Sequence, residues 1–214
     1  MKPIYILELI LDQFLKIDKF QDYVNRKCNT RYGNKIVWSS QNTTIEEVFS
    51  EYKFYDLQEN DIVMDIGANV GGFAMFVSKT VKQVYAIEPI TLDLLKSNII
   101  LNNINNISVI NKCLGNGVTT VEWMGKHYER VGSTLTELIA SCGGHVDFLK
   151  CDCEGGEWSI QSEELKDIRR LEIEVHNTDG KHNFDDFLKM LDKAEFNYTY
   201  QIRTTDMLVH AKKT

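Results

Sequence analysis

One stretch constrains the fold of this 214-residue chain more than any other: Asp61-Ile-Val-Met-Asp65-Ile-Gly67-Ala68-Asn69-Val-Gly71-Gly72-Phe73, followed by Val84-Tyr-Ala-Ile-Glu88-Pro89. A short apolar run meets a cluster of glycines, then a helix-forming segment, then a second apolar run that ends in a carboxylate. The pattern reads as strand, turn, helix, strand. Glycines at such a turn let a ligand approach the backbone, and the helix start offers unpaired N–H groups. An acid at the tip of the second strand is placed to chelate ribose hydroxyls. The expected ligand contains adenosine.

Spacing narrows the ligand further. The dinucleotide fingerprint needs Gly-x-Gly-x-x-Gly to pass a pyrophosphate over the helix start, but here Gly67 and Gly71 are four apart and Asn69 stands where the second glycine belongs. A ligand without a pyrophosphate fits better. S-adenosylmethionine has a ribose for Glu88 and Pro89, a carboxylate for the N–H groups near Gly71 and Gly72, and an ammonium for Asp65 or the Gly67 carbonyl. The third strand's end, Asn111-Lys-Cys113-Leu114, is the expected neighbour of the adenine.

From residue 61 onward strand and helix patterns alternate, which favours a parallel sheet covered on both faces. Strands are expected at 61–66, 83–87, 107–112, 146–151 and 170–175, with helices near 71–80, 91–102, 134–141, 157–163 and 183–194. Phe196–Ile202 and Met207–Ala211 then read as an antiparallel hairpin. The expected fold class is α/β, the Rossmann-like sheet of class I methyltransferases, mostly parallel with that C-terminal antiparallel hairpin. Residues 5–27 show an amphipathic helical pattern, so the organisation expected is an N-terminal helical extension, 1–55, and a cofactor domain, 56–214. The extension's apolar face suits packing on the domain or a homodimer.

The formal net charge of −7 argues against a broad phosphate-binding surface, so no nucleic acid is expected as partner. The five cysteines are odd in number and lack paired Cys-x-x-Cys spacing, which suggests reduced thiols rather than disulfides or a zinc site. No apolar run reaches the length of a transmembrane helix, and Glu8 and Asp12 interrupt the opening apolar segment. A cytoplasmic location is expected.

A second cluster carries the candidate chemistry. Lys150, Asp152 and Glu154 alternate at one strand end, and Glu172, Glu174 and His176 at the next, so each trio shares a face. Ligands of open α/β sheets bind beyond the carboxyl ends of the strands, which places Asp152, Glu154, Glu174 and His176 beside the cofactor crevice. Methyl transfer is an in-line displacement that depends on holding the acceptor against the methyl carbon, and His176 has the ordinary pKa suited to taking a hydroxyl proton. Asp152 and Glu154 would orient His176, contact the acceptor, or hold a divalent ion with Glu174. The ion is the weakest of these readings, so no metal is expected. Lys150 reads as structural, and Trp123 and Trp158 as either pocket wall or core.

Across about residues 40–176 the chain resembles the FkbM family of S-adenosylmethionine-dependent methyltransferases. Four blocks carry the likeness: Asp65-Ile-Gly-Ala-Asn-Val-Gly71; Tyr85-Ala-Ile-Glu-Pro89 with Asn98 and Asn102; Ser133-Thr-Leu-Thr-Glu-Leu138; and Phe148-Leu-Lys-Cys-Asp-Cys-Glu-Gly-Gly-Glu-Trp158 followed by Ile173-Glu-Val-His176. Cys151, Cys153, Gly156 and Thr136 depart from the family's usual Ile, Val, Ala and Asp. The resemblance implies O-methylation of a hydroxyl on a saccharide or other small metabolite. An NAD-dependent oxidoreductase and a non-catalytic cofactor-binding module are the alternatives.

Overall fold

The structure, a computed structural model, describes Val48 and residues 51–123, 126–177 and 180–213. The N-terminal amphipathic pattern, and any dimer built on it, fall outside the described residues. Seven strands form the main sheet: β1 (Ile62–Ile66), β2 (Gln83–Ile87), β3 (Ile107–Ile110), β7 (Phe148–Cys151), β8 (Arg170–His176), β9 (Asn197–Ile202) and β10 (Asp206–Lys212). Their order is β3-β2-β1-β7-β8-β10-β9, and β10 alone runs antiparallel to its neighbours. This is the expected class I sheet with its closing hairpin. The chain moves outward from β1 to β3, then returns to lay β7 on the other side of β1, so the sheet reverses at β1 and β7 and leaves a crevice beyond their carboxyl ends.

Helices α1 (Gly72–Val77) and α2 (Leu92–Leu101) cover one side. There Phe73, Met75, Leu95 and Phe148 share a core with Val48 and Tyr52. Helices α3 (Leu135–Ser141) and α4 (Phe184–Lys193) cover the other, over Leu149, Cys151, Ile173 and Val209. Helix α3 starts where the side chain of Thr134 accepts from the N–H of Glu137 while Glu137 holds the N–H of Thr134, a reciprocal cap.

Two regions differ from the sequence expectation. Residues 157–163 form two short 3-10 turns, Gly156–Ser159 and Ser162–Leu165, rather than a helix. The cause is Glu157: it is fully buried and its carboxylate accepts from the N–H groups of Cys153 and Gly155, which folds the segment back on itself. The stretch after β3 also holds a second, three-stranded sheet of β4 (Cys113–Leu114), β5 (Gly117–Trp123) and β6 (Lys126–Ser133), in the order β4-β6-β5. Its cross-strand pair Val118 and Val131 is 74% and 76% exposed, so its apolar residues do not mark the covered face as they do in a half-buried strand.

A polar row crosses the sheet beneath the crevice. Parallel register sets Asp65 of β1 beside Lys150 of β7, which in turn faces Glu172 of β8. Lys150 Nζ lies 3.4 Å from Asp65, and both residues are almost wholly excluded from solvent. Glu172 is held separately by Arg170, by the imidazole of His210 at 2.6 Å and by the N–H of Lys53.

Candidate functional site

The glycine turn after β1 owes its shape to close packing. Gly67 has φ +75°, and a Cβ added there would sit 1.7 Å from the carbonyl oxygen of Asp152, so the turn lies directly against the end of β7. The N–H groups of Gly67 and Ala68 donate to the Ile87 carbonyl, and Gly71 donates to Ala68. Asn98 of α2 secures the turn from outside by donating to the Val70 carbonyl.

Beside this turn lies a cavity of about 740 Å³, lined on the turn side by Gly67, Ala68, Asn69, Gly72, Glu88 and Pro89. This size suits a ligand as large as S-adenosylmethionine. Glu88 is fixed at its floor: Oε1 accepts from the N–H groups of Ile90 and Thr91, and Oε2 from that of Asn69. Lys112 and Cys113 line the cavity where the adenine was expected.

Four residues expected to touch the ligand do not line this cavity: Asp65, Gly71, Asn111 and Leu114. The register explains the first. Asp65 points beneath the turn to Lys150, whose ammonium also donates to the Gly67 carbonyl at 3.2 Å, so a lysine of the chain already fills the place assigned to a ligand ammonium. Burial alone would lower the Lys150 pKa, but Asp65 and Asp152 overcome this and raise it. Gly71 spends its N–H within the turn, Asn111 is exposed, and Leu114 is core.

Beyond the end of β7 the structure brings together all four candidate catalytic residues in the same cavity, Asp152, Glu154, Glu174 and His176. The His176 Nε2 lies 3.7 Å from Glu154, 3.8 Å from Glu174 and 3.9 Å from Asp152. Its Nδ1 faces Glu157 at 3.3 Å. Burial by itself would lower the His176 pKa, but the hydrogen bond and charge of Glu157, with Asp152 and Glu154 adding, raise it to about 10. Glu174 moves the other way for a carboxylate: burial, then the charge of Asp152, push it up to about 7 despite His176 and Arg203.

Several residues of this wall escape a reading by spacing alone. Tyr52 donates to Asp152 at 3.0 Å and Glu174 at 3.3 Å, a hundred or more positions away in sequence. Arg203, in the loop joining β9 and β10, reaches Glu51 at 2.9 Å and Glu174 at 3.4 Å. Glu157 stood within a resemblance block without a role. Trp158 is a wall residue: its indole N–H donates to the His176 carbonyl, and its ring stacks on His182 with centroids 4.3 Å apart. Cys151 and Cys153 share a face with sulfurs 3.8 Å apart and are free thiols.

Residues 33–124 match the family described as TRM5/TYW2 methyltransferase domain. A probable ribosomal RNA small subunit methyltransferase A of Methanosphaera stadtmanae is 40% identical over 57 residues, covering 26% of this chain and 21% of that protein. The chain's matches span about a fifth of the length of the curated relatives they reach, 22% and 21%. Among solved structures, a ribosomal RNA methylase of Streptococcus thermophilus superposes with a TM-score of 0.53 at 15% identity, covering 83% of this chain and 98% of that one. A putative methyltransferase of Streptococcus mutans in complex with SAH gives 0.54 at 17% identity, covering 84% and 100%.

The fold is that of class I S-adenosylmethionine-dependent methyltransferases. The FkbM assignment is not what these likenesses point to. They also overturn the exclusion of nucleic acid, since RNA methyltransferases stand among the proteins most like this chain. The charge argument failed because a net charge is a sum over the whole chain. Lys112 and His127 line the cavity itself, and Lys126 and Arg130 lie on the same strand as His127. Among the described residues no helix is long and apolar enough to cross a membrane.

Proposed function

We propose that the protein transfers a methyl group from S-adenosylmethionine to RNA, and that the receiving atom is a hydroxyl oxygen. The observation that carries RNA as acceptor is the likeness, over 57 residues, to a probable ribosomal RNA methyltransferase. It replaces the saccharide or small metabolite implied by the FkbM resemblance. Oxygen as the receiving atom is supported by the acceptor wall: Asp152, Glu154, Glu174 and His176 converge there, and Lys150-Cys-Asp-Cys-Glu154 occupies the position where an Asn/Asp-Pro-Pro-Tyr/Phe segment would serve an exocyclic amine. The cationic side chains of β6 beside the cavity suit a phosphate backbone.

In this reading Glu88 holds the ribose, the turn at Gly67 to Gly72 supports the methionine half, and Lys112 and Cys113 flank the adenine. The sulfonium then faces Asp152, and the acceptor enters between the β6 edge and the Trp158 wall. The chain's contribution to rate is mainly orientation of the acceptor oxygen in line with the methyl carbon.

Incubation of the full chain with tritiated S-adenosylmethionine and separate RNA, protein and small-metabolite fractions tests the acceptor. Label is expected in RNA, in a product stable as a methyl ether. Label confined to another fraction would overturn RNA as acceptor, and tight NAD binding without any response to S-adenosylmethionine would overturn the cofactor role. Replacing Glu88 with alanine is expected to weaken S-adenosylhomocysteine binding by about 1–3 kcal/mol in calorimetry, through lost charge-assisted hydrogen bonds to the ribose. Unchanged affinity would remove Glu88 from the cofactor site.

A further inference from the structure

We infer that Asp152, Glu154 and His176 form a binding site for one divalent transition-metal ion, of the manganese(II) kind, on the acceptor wall of the cofactor cavity. One ligand atom from each lies within 4.8 Å of the other two. Carboxylates that share a strand end are common without an ion, so the inference rests on the histidine.

The His176 side chain is only 10% exposed, and its two nitrogens face different surroundings. Nδ1 lies 3.3 Å from Glu157 Oε1. Glu157 is itself fully buried and already accepts two backbone N–H groups, so it is an anchored acceptor and Nδ1 is the donor. That bond sets the ring's orientation and aims Nε2 at the carboxylates. Histidines that ligate metals are oriented in this way, with a carboxylate on the far nitrogen.

Around Nε2 stand Glu154 Oε2 at 3.7 Å, Glu174 Oε1 at 3.8 Å and Asp152 Oδ1 at 3.9 Å. A hydrogen bond to Nε2 would need an oxygen at about 2.7–3.2 Å. None is so close; instead the oxygens surround the nitrogen at nearly equal distances. Donors on one octahedral ion with bonds of roughly 2.1 Å lie about 3.0 Å apart when adjacent and about 4.2 Å when opposite. The nitrogen–oxygen spacings of 3.7–3.9 Å fall between these, so the donors can close on an ion with small side-chain rotations.

The second oxygens of Asp152 and Glu174 are occupied elsewhere. Tyr52 donates to Asp152 Oδ2 and Glu174 Oε2, and Arg203 reaches Glu174 Oε1. Arg203 offsets the charge of Glu174, which makes it the weaker candidate for a fourth ligand. One imidazole with two carboxylates suits manganese, iron or zinc over magnesium or calcium, which prefer oxygen alone. An ion here would bind an acceptor hydroxyl and lower its pKa. That consequence rests on the methyl-transfer reading; the binding of the ion does not.

The test uses untagged full-length protein stripped with chelator, titrated with manganese(II) and followed by electron paramagnetic resonance and calorimetry. One ion per chain is expected, with micromolar affinity. Glu154→Gln and His176→Gln should each weaken binding by at least about tenfold, and Glu157→Gln by about 10–100-fold through the loosened ring. Manganese should also raise the melting temperature of the wild type and not of Glu154→Gln. Absence of bound manganese at about 1 mM, or affinity unchanged in both Glu154→Gln and His176→Gln, overturns the site. S-adenosylhomocysteine binding on the same samples verifies folding and reports on the cofactor site separately.

Discussion

Replacing Lys150 with methionine is expected to destabilise the domain by roughly 3–5 kcal/mol, the usual cost of removing one partner from a buried ion pair. Lys150 is 3% exposed and Asp65 is fully buried, so no solvent is available to take over the charge that remains. The ammonium lies 3.4 Å from Asp65 and 3.6 Å from Asp152 and donates to the Gly67 carbonyl, so one side chain ties β1, β7 and the glycine turn together. Urea unfolding should show the midpoint falling with little change in slope. A double variant, Lys150→Met with Asp65→Leu, should recover much of the loss, because an apolar pair of similar volume avoids the desolvation of both ions. A loss below about 1 kcal/mol in the single variant would mean that Asp65 is not held by Lys150.

That pair also shows where sequence reading stopped. The strand carrying Asp65, the turn at Gly67 and the acid at Glu88 were legible because each is a local pattern: an apolar run, a glycine spacing and a strand end. The mostly parallel sheet followed from alternation, and its antiparallel end from the hairpin at Phe196–Ala211. The partner of Asp65 was not legible, since only the parallel register of β1 with β7 sets Lys150 beside it, and register is a property of the assembled sheet. Tyr52 belongs to the same class: it meets Asp152 and Glu174 only because the residues before β1 pack beside Phe73 and line the same cavity. On the acceptor wall, strand alternation correctly gathered Asp152, Glu154, Glu174 and His176. It gave no sign that Glu157 would turn the ring of His176 and raise its pKa, because a residue within a turn has no periodicity to reveal its direction. The small sheet from β4 to β6 was missed for a related reason: with valines on its exposed face, apolar residues do not mark the face that is covered.

The second large effect is expected at Gly67, where two costs combine and can be separated. Alanine there would bring Cβ within 1.7 Å of the Asp152 carbonyl, a backbone atom that cannot move without shifting the end of β7. It would also hold a residue with a side chain at φ +75°. Backbone strain of this kind costs about 1–2 kcal/mol, and forcing the clash adds about 1–3 kcal/mol. Gly143 has φ +85° with nothing within 4 Å of an added Cβ, so Gly143→Ala carries the strain without the clash. In urea unfolding Gly67→Ala should lose about 3 kcal/mol or more and Gly143→Ala no more than about 2 kcal/mol; equal losses would show that the turn has room. S-adenosylhomocysteine affinity adds the functional readout. Gly143 lies beyond the end of α3, away from the crevice, so its variant should bind normally, whereas any Gly67→Ala that remains folded should bind at least about tenfold more weakly because the turn and the β7 end have been pushed apart. Normal affinity in a folded Gly67→Ala protein would separate the close approach of turn and strand from cofactor binding, and would leave Glu88 as the feature that anchors the cofactor.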